Sequence, residues 1–283
     1  MSRIRLATKE DIPALKDIWY EGFLEHDSKA SIDFYFENNF DLNHTFVLVE
    51  DNEIKSTLQL NQHVLMVDGK EEPVSFVVGV ATPTKYQRQG YMKELLDHAI
   101  DYAKNKLKQR LMILQAYNWD VYKPFGFEET YYKSKLVLDK LFFDEYDKIQ
   151  LSHLSAQRLL AIYNIYTKPL NGYKIRDEAY YDKAFKINEV DNAFFAIYKD
   201  AYINYQVQGS NLVVYEAAYF DLFELFSLVK TIKSDFKCEE VILYSDIYHF
   251  DYYKFDKELY MMTLKLDPSF KFENEKLYIS EVI

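Results

Sequence analysis

Hydrophobic and polar positions along the chain alternate between a period of two and a period near 3.6, and the changes between them mark the elements. Arg3 to Leu6 reads as a short strand. Thr8-Lys9-Glu10-Asp11 and Pro13 then open a helix whose apolar stripe is Ile12, Leu15, Ile18, Trp19 and Phe23. A second helix is expected over Ser31 to Asn38. Strands follow at Thr45 to Glu50, Ile54 to Val67 and Pro73 to Ala81, with Asp68-Gly69 as a hairpin turn between the last two. Met92, Leu95, Leu96, Ala99, Ala103 and Leu107 recur at helical spacing and predict a helix from about Gly90 to Lys108. A strand at Leu111 to Gln115, a short helical piece near Trp119 to Lys123 and a strand from Tyr131 to Leu138 complete the first half.

The region from Asp139 to Gln150 has mixed charge and no clear period, so a domain change is expected there. Beyond it the pattern begins again. Helices are predicted at Ser155 to Tyr166 and Asp177 to Lys186, and strands at Ala193 to Tyr198, Tyr202 to Val207 and Leu212 to Ala218. A helix at Asp221 to Lys233 and a strand at Val241 to Tyr244 follow. Both halves therefore read as paired helices, three strands, a helix and a strand. It is a repeat of supersecondary structure and not of residues.

Composition narrows the classes of function. The chain has 283 residues, net charge −11 and a single cysteine, Cys238. Nucleic-acid binding needs a basic face, and this balance argues against it. An acidic surface draws cationic small molecules or peptides instead. One cysteine excludes an internal disulfide and a cysteine-rich metal cluster. The six histidines show no ligand spacing, so no metal is expected. Charges interrupt every apolar run and the N-terminus lacks a signal-peptide core, so the expectation is a cytoplasmic protein with no membrane partner.

The richest stretch is Gln87-Arg88-Gln89-Gly90-Tyr91-Met92, because the apolar run Val74 to Ala81 precedes it and a helix follows. A strand that enters a helix through a turn with one glycine aims free backbone N–H groups at one point, where the helix dipole adds positive potential. Arg88, one of only six arginines, adds a cation there. An anionic cofactor is the first expectation. The matching junction of the second half, Tyr219-Phe220-Asp221, has no glycine and puts Asp221 and Glu224 where a phosphate would sit.

Val78-Gly79-Val80, Gln87 to Met92, and Tyr122-Lys123-Pro124-Phe125-Gly126-Phe127 together resemble the motifs of the GNAT acetyltransferases, with Met92 departing from the small residue usual at its position. Within that superfamily the chain is most similar to the enhanced intracellular survival (Eis-like) group. The resemblance implies an α+β GNAT fold, a mixed and mostly antiparallel sheet flanked by helices, in tandem with a second, degenerate GNAT-like domain. The expected domains are 1–140, binding acetyl-CoA, and 141–283, without a cofactor loop. It further implies acetyl-CoA held by Val78, Gly79, Val80, Arg88, Gln89, Gly90, Tyr91, Met92, Lys93, Tyr117 and Asn118. Tyr122 is implied as the general acid, and the Val80 N–H as the donor to the oxyanion. A cap on the following short helix explains Asn118 equally well.

The implied reaction moves an acetyl group to a primary amine of a small cationic molecule, by direct transfer in a ternary complex. A peptide or protein lysine as acceptor, and a non-catalytic acyl-CoA-binding regulatory module, are the rivals. Relatives form homo-oligomers, and assembly stays open here. Family members carry a third domain, resembling sterol carrier protein, whose C-terminal carboxylate is thought to serve as base. The stretch from Pro268 to Ile283 is too short for it, so the base is either missing or supplied by Ile283 along another route.

Overall fold

The computed structural model describes residues 3–139, 141–246, 255–271 and 276–281. They form two compact units. Of the described residues, unit 1 holds 3–130 and 261–271, and unit 2 holds 131–139, 141–246, 255–260 and 276–281.

Unit 1 is built from β1 (Arg3–Leu6), α1 (Ile12–Phe23), α2 (Lys29–Asn38), β2 (Thr45–Glu50), β3 (Glu53–Val67), β4 (Lys70–Ala81), α3 (Tyr91–Asp101) and β5 (Leu111–Leu114). Its strands β1 to β4 are successive antiparallel neighbours, and β5 pairs parallel with β4. The Asp68-Gly69 turn joins β3 to β4 with both residues at positive φ, as a tight hairpin requires. Leu15, Ile18 and Trp19 bury the apolar stripe of α1, while Leu95, Leu96 and Ala99 bury that of α3. The predicted α3 helix changes to a π-helical turn over Tyr102–Lys106 before it ends.

Unit 2 repeats the order of paired helices, three strands, a helix and a strand, with its short extra strand between the paired helices instead of before them. It contains α4 (Ala156–Tyr166), the short β7 (Tyr173–Lys174), α5 (Glu178–Asp191), β8 (Ala193–Tyr198), β9 (Ala201–Gln208), β10 (Asn211–Ala218), α6 (Leu222–Asp235) and β11 (Glu240–Ser245). Strands β8, β9 and β10 are antiparallel, and β11 pairs parallel with β10. Its core is rich in buried tyrosines, among them Tyr163, Tyr166, Tyr181 and Tyr202.

Two strands pass between the units along the chain. The strand after β5 is β6 (Glu128–Leu138); it leaves unit 1 after Thr130 and pairs antiparallel with β11 through Ser134 to Leu138. The strand after β11 is β12 (Asp256–Lys265); its end from Met261 belongs to unit 1 and pairs antiparallel with β5. Each unit thus completes its sheet with a strand that follows the other unit's last parallel strand. β12 was not among the predicted strands.

Candidate functional site

The site grows from the way β4 ends. Its parallel pairing with β5 runs from Ser75–Met112 to Val77–Leu114, which is the last pair between the two strands. On the other edge the register with β3 shifts between Gln59–Val78 and Thr57–Ala81, so β4 carries one extra residue there. Such a bulge bends the strand and leaves a residue out of the ladder. Gly79 sits in it at φ +60, a conformation that favours glycine. Trp19 of α1 packs against Gly79, and its ring stacks on Tyr35 at 4.7 Å. Val78 is buried, while Gly79 and Val80 are half-buried.

From Ala81 the chain runs through residues 82–90 into α3. Arg88 (φ +62) and Gly90 (φ +89) both take left-handed conformations. Four other helices open on a side-chain cap: Ser28, Ser155, Asp177 and Asp221 accept the N–H groups of Ser31, Arg158, Tyr180 and Phe223. α3 opens on Gly90 with no side-chain cap. The first N–H there to reach a carbonyl is that of Glu94, which donates to Gly90 at 3.0 Å. Among the described residues, the N–H groups of Gln89, Gly90, Tyr91, Met92 and Lys93 meet no acceptor. Arg88, Gln89, Gly90 and Lys93 are exposed, and Tyr91 and Met92 are half-buried. Lys93 also pairs with Asp97 at 2.6 Å.

Three carboxylates brace this loop, and the sequence reading did not single them out. Glu21 of α1 accepts the Thr84 N–H at 2.6 Å, which lowers its pKa. Glu53 accepts from the Tyr86 hydroxyl and from Lys55 at 3.0 Å, and Tyr86 first, then Lys55, hold it down to about 2. Glu50 accepts from the Tyr91 hydroxyl. They lie 33 to 63 residues from the loop groups they brace, so no local spacing signals them.

Beyond β5, Asn118 caps the short helix Trp119–Val121 by accepting the Asp120 N–H at 3.2 Å. Tyr117 is exposed; its ring stacks on His26 at 3.9 Å and its hydroxyl reaches Asp27 at 3.5 Å. The loop after α1 and the loop after β5 therefore meet at this tyrosine. Tyr122 is half-buried, with its ring edge-on to Phe127 at 6.1 Å. Burial pushes its phenol up to about 12. It stays protonated at neutral pH and can give a proton but not take one. Ile283 lies outside the described residues.

The profile of the family described as Acetyltransferase (GNAT) domain matches residues 3–130. Residues 3–130 are therefore similar to a GNAT acetyltransferase domain. The protein is accordingly an acyltransferase. Solved structures extend the likeness of fold over both units. A probable N-acyltransferase from Enterococcus faecalis V583 is 15% identical with a TM-score of 0.79, over 94% of this chain and 72% of that one. A GCN5-related N-acetyltransferase from Kribbella flavida is 13% identical with a TM-score of 0.76, over 94% and 72%. Eis1 from Mycobacterium abscessus is 12% identical with a TM-score of 0.72, over 94% and 74%. At these identities the likeness establishes fold alone: α+β, of GNAT type, with a length and coverage that fit two such domains in tandem. A search among curated proteins gives no match. No helix among the described residues is long and apolar enough to cross a membrane.

Proposed function

We propose that the GNAT domain moves an acetyl group from acetyl-CoA to the primary amine of a small cationic molecule, and that the protein belongs with the Eis-like group. The start of α3 carries this reading. Five unbonded N–H groups, from Gln89 to Lys93, stand beside the Arg88 cation at the mouth of a helix, which is the arrangement a diphosphate needs. Val78, Gly79 and Val80, where β4 has left β5, are the natural path for the acyl arm. Tyr91, Met92, Tyr117 and Asn118 complete the groups assigned to the acyl carrier.

Acetyl-CoA supplies an activated thioester. Tyr122, held neutral by burial, is assigned as the acid that protonates the departing thiolate. The Val80 N–H is assigned to the oxyanion. A net charge of −11 favours a cationic acceptor. Unit 2 is assigned no cofactor: at the start of α6 the Asp221 carboxylate already accepts the Phe223 N–H at 2.7 Å, in the place a phosphate would need. A cytoplasmic setting accompanies this reading.

The test is release of free thiol from acetyl-CoA against polyamines, aminoglycosides and lysine peptides. Release with the small amines supports the proposal, and release with peptides alone moves the acceptor to protein lysine. Cofactor binding by calorimetry without release on any of them would leave a binding module and overturn the catalytic reading.

A further inference from the structure

Unit 2 has, at the ends of β10 and β11, the same layout that unit 1 has at β4 and β5. Parallel pairing ends at Val214–Leu243, and the register of β10 with β9 shifts between Val214 and Glu216, leaving Tyr215 as the extra residue. Residues 276–281 of the chain itself lie at this place. Leu277, Tyr278, Ile279 and Ser280 are all buried.

Three cations meet the segment. Lys133 donates to the Tyr215 carbonyl at 3.0 Å and to Ser280 Oγ at 3.1 Å. Arg176, paired with Glu216 at 2.7 Å, donates to the Ser280 carbonyl. Lys174 pairs with the Glu281 carboxylate at 2.6 Å, with both side chains largely buried. The Tyr278 hydroxyl reaches Glu216 at 3.2 Å, and Asn171 exchanges main-chain bonds with Lys276 at 2.9 Å and Tyr278 at 3.0 Å. The Tyr260 hydroxyl receives the Glu281 N–H at 3.1 Å.

Packing alone does not call for this chemistry. Taking charges out of water is costly, and well-packed apolar residues of similar volume often serve stability as well or better. Buried cations arranged around the carbonyl, hydroxyl and carboxylate of one extended segment are the chemistry of peptide recognition.

We propose that unit 2 is a peptide-capture site and that residues 276–281 are its built-in ligand, read by Lys133, Lys174 and Arg176. The class of ligand is an extended peptide of aromatic, aliphatic, hydroxyl and acidic residues in that order. The site is filled by the chain itself. The proposal stands independently of the reaction assigned to unit 1.

The test keeps the whole chain and substitutes a protease recognition sequence for residues 272–275. After cleavage, the segment is expected to co-elute with the body in gel filtration and to exchange with a fluorescein-labelled peptide of sequence 276–283, read by anisotropy. A peptide carrying Glu281→Gln, which leaves the protein untouched, should bind about tenfold more weakly or worse. A scrambled peptide that exchanges equally well overturns the proposal. So does a segment that elutes separately from a body with unchanged melting temperature. Loss of the fold on cleavage marks the segment as core instead of ligand, and overturns it too.

Discussion

Trp19 and Gly79 are packed ring against backbone: a methyl group built on Gly79 would stand 2.1 Å from Trp19 Cζ2. The relationship joins α1 to the bulge of β4, and through it to the path assigned to the acyl arm. Gly79→Ala must move a buried indole or flatten the bulge, and it also puts a Cβ at φ +60. Overpacking costs about 1–3 kcal/mol, and left-handed backbone adds about 1–2. The urea midpoint should fall accordingly, and affinity for acetyl-CoA should fall with it. Unfolding free energy within about 0.5 kcal/mol of the parent, the range of an indifferent surface change, would show that the close approach has no weight.

Arg88 separates binding from stability. It is exposed and holds φ +62, where a non-glycine residue is strained. Arg88→Gly should relieve that strain by up to about 1 kcal/mol and yet weaken acetyl-CoA binding, because the cation is gone. Arg88→Glu should weaken binding further, through repulsion of the diphosphate. Calorimetry and thermal unfolding on the two variants give both readings. Equal acetyl-CoA affinity in the parent and Arg88→Glu would remove Arg88 from the site.

Much of the frame was readable because its signals are local. The stripe of α3, the Asp68-Gly69 turn and the glycine before Tyr91 each lie within a few residues, and the repeat of three helices and four strands emerges from them. β12 escaped because its partner β5 lies about 150 residues earlier, and a strand whose ladder is that distant leaves only the run Tyr260-Met261-Met262-Thr263-Leu264 as a signal. The passage between units was hidden for a related reason. It falls inside the continuous strand β6, after Thr130, so no turn or break in the strand marks it. The carboxylates of Glu21, Glu50 and Glu53 were unreadable because each acts on a loop brought to it only by the fold.

Tyr122→Phe keeps the ring against Phe127 and removes only the hydroxyl. A lost general acid typically costs about a hundred- to ten-thousand-fold in rate, so kcat should drop by that order while acetyl-CoA affinity holds. The phenol is pushed up to about 12 by burial. Its protonated form therefore persists as pH rises, and Tyr122 contributes no alkaline fall in kcat below that value. An alkaline limb near the ordinary tyrosine pKa of 10.0 that vanishes in Tyr122→Phe would contradict the buried, neutral phenol.

Lys133 offers a test of unit 2 through pH. Burial is the largest influence on its ammonium and lowers the pKa from 10.5 to about 8, against the opposing pull of Glu216. Below about 8 the group is protonated in both folded and unfolded chains, and the folded chain bears the full cost of a buried charge. Between about 8 and 10.5 the folded chain has released the proton while the unfolded chain still binds it. Stability therefore rises with pH through that window, at most about 1.4 kcal/mol per pH unit. Lys133→Met removes the titration and leaves the buried tyrosines common to both proteins. The difference in unfolding free energy between parent and variant should be level below pH 8 and then grow in the parent's favour toward pH 10.5. A difference that stays flat across the window would show that the Lys133 ammonium keeps its ordinary pKa, and with it that the buried contacts to Tyr215 and Ser280 do not hold it away from water.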